Sequence, residues 1–90
     1  MARADVDPDE LLRFATALKR FNESTRNELA GINRQFRRLG ETWKDEEQAR
    51  FADSFEQMVR VVARFVDESE REVPVLVRKA EAIRDYLGPR

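Results

Sequence analysis

Apolar residues recur every three or four positions along two long stretches of this chain, with charged residues between them. In the first stretch they are Leu11, Phe14, Leu18, Phe21, Leu29, Ile32, Phe36 and Leu39, with Thr25 as a weak link in the same register. In the second they are Ala52, Phe55, Val59, Val62, Val66, Val73, Leu76, Ala80, Ile83 and Leu87, with Ser69 in the same register. This spacing places the residues of each stretch on one face of an α-helix. The pattern therefore predicts two amphipathic helices, over residues 8–39 and 45–87, in a single domain of residues 1–90.

The signals that end the first helix and begin the second lie within a few residues of each other. Gly40 follows the last apolar position, and we expect it to take the left-handed conformation that often ends a helix. Thr42 is the expected N-cap of the second helix, with Asp45 three residues later in capping-box spacing. A turn as short as residues 40–44 makes neighbouring helices antiparallel. The sequence therefore predicts a helical hairpin with Trp43 at its tip.

Prolines and a glycine mark the other helix boundaries. Asp7 is expected to cap the first helix, with Pro8 at its first position. Pro74 removes one backbone hydrogen bond from the interior of the second helix. The apolar positions nevertheless keep the same register on both sides of it, which favours a kinked but continuous helix over a break. We expect the second helix to end at Gly88 and Pro89.

A further column of apolar residues flanks the stripe of the second helix. It consists of Phe51, Met58 and Phe65, seven positions apart. An isolated hairpin would leave this column in water, and an exposed apolar patch marks an interface. Domains this small rarely stabilise themselves without disulfides, metals or oligomerisation. The predicted fold class is therefore all-α: an antiparallel helical hairpin that dimerises into a four-helix bundle through Phe51, Met58 and Phe65.

Composition excludes several classes of function. The chain has 17 basic and 18 acidic residues and a net charge of −1, whereas nucleic-acid binders normally present a basic face. Cysteine and histidine are both absent, which excludes disulfides, zinc sites built from these residues and histidine base catalysis. Adjacent carboxylates such as Glu46 and Glu47 are interpreted as solvated helix surface. We therefore predict no enzyme, no metal site and no cofactor.

The termini and the hydropathy of the chain bear on its location. Residues 1–6 lack the apolar core of a signal peptide and are expected to form a short frayed tail. No run approaches the roughly 18 apolar residues of a membrane span. We predict a protein of the cytoplasm, or one secreted without a cleaved signal peptide.

The centre of the chain resembles a known family. Its segment is Leu39-Gly40-Glu41-Thr42-Trp43, followed by an acidic helix start and Phe51. This segment, the length and the predicted hairpin are similar to the WXG-motif family, the ESAT-like small helical-hairpin proteins of type VII secretion. The chain differs at two positions. Asp45 stands where the motif has glycine. The family's export signal has an acidic residue four positions after a tyrosine, and here Arg90 stands four positions after Tyr86.

The resemblance implies a non-enzymatic protein that acts through protein–protein association, as a secretion substrate or adaptor. Implied partners are a second copy or a related hairpin protein, and a secretion ATPase or a larger secreted protein. Gly40, Trp43 and Asp45 are the candidate contact residues at the turn. Trp43 has two interpretations, a lid over the end of the helix seam and a contact for a partner. The alternative function is a cytoplasmic dimerisation or adaptor module that is not exported.

Overall fold

The computed structural model of this protein describes residues 6–88, and within them two α-helices are joined by one short turn. Helix α1 spans Pro8–Leu39 and helix α2 spans Glu46–Leu87. The two helices pack against each other along their length as an antiparallel pair, in a rod of 66 × 21 × 14 Å. The predicted all-α helical hairpin is therefore confirmed.

The outer ends of the hairpin follow the sequence signals. The Asp7 carboxylate accepts a hydrogen bond from the backbone N–H of Asp9 at 2.9 Å, and Pro8 is the first helical residue. Gly88 ends α2 with a φ of 86°, a left-handed conformation that costs glycine no Cβ clash. These predictions are confirmed. Pro89 and the first five residues of the predicted tail lie outside the described residues.

Helix α2 continues through Pro74 without interruption. Ser69 before the proline and Ala80 after it are both buried against α1, with 7% and 0% of their surface exposed. The face of α2 that packs on α1 therefore keeps its register across the proline, as the apolar pattern favoured. Because proline has no N–H, the carbonyl of Glu70 lacks its usual helical donor.

Pro74→Ala is expected to stabilise the hairpin by about 1–3 kcal/mol while helicity stays equal or rises slightly. Alanine restores an N–H opposite the Glu70 carbonyl and removes the clash of the proline ring with it. Thermal melting followed by far-ultraviolet circular dichroism measures both effects. Val75→Ala, one residue further along the same helix, is the control that leaves the backbone hydrogen bonds unchanged. A fall in helicity in Pro74→Ala would contradict the expectation.

The helix seam is the line along which α1 and α2 pack against each other. The α1 residues buried in it are small or polar. Ala15 and Asn22 are each only 1% exposed, whereas Phe14 and Phe21 are 56% and 53% exposed. The buried residues on the α2 side are Phe55, Val66, Ser69 and Ala80. The predicted α1 stripe is therefore wrong at Phe14 and Phe21. The residues that face α2 are Ala15 and Asn22, one position later in each case. The distance between packed helices depends on the side chains at the contact, and small ones at the seam leave the bulkier neighbours outside it.

Candidate interaction surface

The turn between the helices closes without a left-handed residue. Gly40 has φ −63° and ψ −14°, a right-handed conformation, so the prediction of a left-handed glycine is wrong. The N–H of Gly40 donates to the carbonyl of Phe36 at 3.1 Å, and the N–H of Trp43 donates to the carbonyl of Leu39 at 2.9 Å. These bonds occupy carbonyls at the end of α1 in a continuing right-handed turn, so no positive φ is required there.

Asp45 caps helix α2, a role that the sequence had predicted for Thr42. The Asp45 carboxylate accepts a hydrogen bond from the N–H of Gln48 at 2.9 Å, and the helix begins at Glu46. The hydroxyl of Thr42 instead donates to the carbonyl of Leu39 at 3.3 Å, and so serves the end of α1. Aspartate ranks above threonine as an N-cap, which agrees with the later start. Helix α2 therefore begins one residue after the predicted position.

Trp43 lies half-buried at the turn end of the seam, next to Phe51, which belongs to a cluster of three phenylalanine rings. Its ring centre is 6.1 Å from that of Phe51. Phe36 is 5.6 Å from Phe51 and 4.7 Å from Phe55, and Phe51 stacks on Phe55 at 5.9 Å. Aromatic pairs attract at ring separations of about 4.5–7 Å. Trp43 therefore has the packing contact that a lid requires, and the residue is still partly exposed.

Seven large apolar side chains, each 45–56% exposed, form one surface that crosses both helices. We call this surface the apolar face, and its residues are Phe14, Phe21, Ile32, Leu39, Phe51, Met58 and Phe65. The rings of Phe21 and Phe65 meet edge to face, with their centres 6.3 Å apart. Ile32 and Leu39 border a shallow cavity together with Phe51. These contacts place the α1 and α2 columns on the same side of the seam.

The sequence identified the α2 half of the apolar face and missed the α1 half. The predicted interface residues Phe51, Met58 and Phe65 are 48%, 50% and 51% exposed, and the structure brings them together on this face. The four α1 residues of the face had been assigned to the seam. The sequence does contain a signal that these four α1 residues lie outside the seam. Ala15 and Asn22 are seven positions apart and form a column of smaller side chains on α1.

Within residues 6–88, two sets of ion pairs connect the helices. Arg26 donates two hydrogen bonds to the carboxylate of Glu70, at 2.7 and 2.9 Å, and one to Asp67 at 2.6 Å. Arg84 pairs with Asp9 near the open end of the hairpin. The hydrogen bond from Arg26 lowers the pKa of Glu70, and the hydrogen bond from Arg84 lowers the pKa of Asp9. These pairs fix the register of α1 against α2.

Arg26→Gln is expected to weaken the pH dependence of hairpin stability in acid. Because Arg26 holds the pKa of Glu70 below its ordinary value of 4.5, the pair stabilises the fold above that pH. This contribution is lost as the pH falls through the lowered value. The wild-type melting temperature should therefore drop between about pH 5 and pH 2, and the variant should lose less over that range.

Arg60→Gln is the matched control for this change. Arg60 pairs with Glu56 within the same helix at 3.2 Å, and this exposed pair does not join α1 to α2. Its loss should shift melting by little at any pH, because exposed pairs four residues apart contribute little. If the melting temperature of Arg26→Gln fell with pH as much as that of the wild type, the role given to Glu70 would be contradicted.

The described part of the chain presents exposed apolar side chains and charged side chains on its surface. Within residues 6–88, no group of three or more histidine, cysteine, aspartate or glutamate side chains is arranged to hold a metal ion. Neither α1 nor α2 contains an uncharged apolar stretch of the length that a bilayer crossing needs. The apolar face and the turn are therefore the features that suit association.

Comparisons with known proteins give one match. The family model described as proteins of 100 residues with WXG, named WXG100, matches residues 3–86. The matched range contains the turn, Trp43 and every residue of the apolar face. The comparisons with curated proteins and with solved structures give no match. Arg90, at the second of the two positions that differ from the family, lies outside both the matched and the described residues.

Proposed function

Because this chain belongs to the WXG100 family, we propose that it is a non-enzymatic hairpin protein of type VII secretion, acting through protein–protein association. It serves as a secretion substrate or as an adaptor for a larger secreted partner. The observation that carries the proposal is the apolar face, which spans both helices and stays half exposed in the single hairpin. A contiguous exposed surface of this kind marks a protein interface.

A second copy of the hairpin is the proposed partner for the apolar face. Phe14 and Leu39 lie 25 residues apart on α1, so the face runs for about 38 Å along the rod. Two hairpins placed face to face about a twofold axis cover both faces at once and form a four-helix bundle. In such a dimer the apolar face of one hairpin packs against the apolar face of the other. Apolar side chains therefore meet apolar side chains on both helices. The interface would include Phe51, Met58 and Phe65.

The turn is the proposed contact for a secretion ATPase or a larger secreted protein. Trp43 is partly exposed, and Asp45 is exposed beside it. Asp45 stands at the motif's glycine position, and glycine also belongs to the preferred N-cap residues. The substitution therefore preserves the helix start that the motif provides. Gly40 belongs to the right-handed turn that leads from α1 to Trp43.

Export from the producing cell tests the secretion role. We expect the chain in the culture supernatant when the hexameric secretion ATPase is present, and its loss from the supernatant when that ATPase is deleted. An unrelated cytoplasmic protein monitors cell lysis in both cultures. Retention in the cell under both conditions would support the alternative, a dimerisation or adaptor module that is not exported. In either case, light scattering should give a mass of twice 10.6 kDa.

A further inference from the structure

The helix seam differs in composition between its turn end and its open end, which is the end opposite the turn. Toward the turn, α2 buries Phe55 and Val66 against α1. Toward the open end, the fully buried residues among 6–88 are Ala15 on α1 and Ala80 on α2. The free energy of burial grows with the apolar area removed from water, and an alanine side chain offers a single methyl group. The open end is therefore held by less apolar burial than the turn end.

A polar layer made of Asn22 and Ser69 separates these two ends of the seam. Both residues are buried, and Asn22 lines one open cleft with Glu70, the neighbour of Ser69, so the two lie at about the same height. Among residues 6–88, neither the Asn22 carboxamide nor the Ser69 hydroxyl has a hydrogen bond. A buried polar group without a hydrogen bond keeps the full cost of its desolvation. Water that entered the seam as far as this layer would remove that cost.

Pro74 gives α2 a place to bend next to the polar layer. It lies five residues after Ser69, on the side of the open end. Because proline has no N–H, the helix between Ser69 and Pro74 lacks the backbone hydrogen bond to the carbonyl of Glu70. Sharp bends in helices occur mostly at such positions. A change in the direction of α2 therefore costs least at this point.

An exposed ion pair joins the helices at the open end. Arg84 donates a hydrogen bond to the carboxylate of Asp9, and the two side chains are 53% and 60% exposed. An ion pair in contact with water contributes little to stability. None of the seven residues of the apolar face lies among residues 75–87, so the proposed dimer does not rely on this segment.

We propose that residues 75–87 form a strap that separates from α1 as one unit, bending at Pro74, while the rest of the hairpin stays paired. The opening ends at the polar layer, whose side chains then reach water. It uncovers Leu76 and Ile83, which are half-buried in the closed hairpin. The strap becomes a separate amphipathic helical segment, and the ion pair of Arg84 is the latch that limits how often this occurs. The proposal does not depend on a role in secretion.

Hydrogen exchange of the isotope-labelled full chain, followed for each amide by nuclear magnetic resonance, tests this proposal. The strap amides should share one protection factor, at least about tenfold lower than that of residues 50–66. Arg84→Gln should lower the strap protection about twofold to fivefold. Arg60→Gln, which removes an ion pair within α2, should leave it unchanged. Equal protection in both regions, or protection that declines gradually toward Leu87 without a step at Pro74, would overturn the proposal.

Variants of the polar layer distinguish strap opening from fraying of the helix end. Asn22→Leu keeps a similar volume and removes the unpaired atoms, so the strap protection should rise at least about tenfold. Ser69→Ala should act in the same direction with a smaller effect. Asn33→Leu makes the same chemical change on α1 at a partly exposed position nearer the turn and should leave the strap protection unchanged. Wild-type strap protection in both polar-layer variants would refute the proposal.

Discussion

Phe65→Asp is expected to convert the proposed dimer into folded monomers, with a dissociation constant raised at least about a hundredfold. In the single hairpin the Phe65 side chain is 51% exposed, so a carboxylate at this position reaches water and helicity persists. In the dimer the twofold axis places two such carboxylates in an apolar interface. Burying an unpaired charge costs several kcal/mol. Light scattering over a concentration series measures the dissociation, and circular dichroism confirms the fold.

Gln57→Asp is the matched control for this experiment. It introduces the same charge on α2 at an exposed position, one residue from Met58 and turned about 100° away from the apolar face. We expect this variant to remain a dimer. If Phe65→Asp stayed dimeric with wild-type affinity, the apolar face would not be the interface. A folded wild-type monomer at micromolar concentration would have the same consequence for the bundle.

Trp43→Ala is expected to leave the hairpin and its dimer intact while export or partner binding falls at least about thirtyfold. The half-buried ring contacts Phe51, and its truncation should cost at most about 3 kcal/mol of stability. The turn is held by backbone bonds and by the Asp45 cap, neither of which needs the indole ring. Aromatic anchors contribute about 2 kcal/mol or more at interfaces. Circular dichroism and light scattering monitor the fold, and the supernatant assay monitors export.

Two further variants control for the loss of the indole ring. Trp43→Phe keeps an aromatic contact with Phe51 and should retain most of the stability. Lys44→Ala changes the exposed neighbour and should leave both fold and export unchanged. If folded Trp43→Ala were exported or bound as well as wild type, Trp43 would be a structural lid. Trp43 would then give no support to a secretion role.

Periodicity and capping chemistry predicted most of the fold. Two long three-four alternations separated by one short interruption leave few arrangements other than an antiparallel hairpin. The Asp7 cap and the Gly88 stop are local signals, because each depends on only a few neighbouring residues. The unchanged register across Pro74 also predicted correctly that α2 continues. In each case the information needed lies within one helix.

The errors occur where two local solutions compete or where packing between helices decides. Gly40 is free to take a left-handed or a right-handed conformation, and the hydrogen bonds of the whole turn select the right-handed one. Thr42 and Asp45 are both good N-caps, and the choice depends on where the turn ends. On α1, the depth of each position is set by how closely α2 approaches. The pattern of apolar residues alone did not show that Ala15 and Asn22 face the seam.

The slender form of the hairpin determines how its assembly must be measured. The radius of gyration is 20.1 Å, whereas a compact domain of this length has about 12 Å. A single hairpin therefore migrates on gel filtration like a much larger globular protein, and elution volume alone mimics a dimer. Side-by-side pairing thickens the rod without lengthening it. Small-angle scattering should accordingly show the forward intensity per unit of protein mass doubling on dimerisation, while the longest dimension of the particle stays nearly constant.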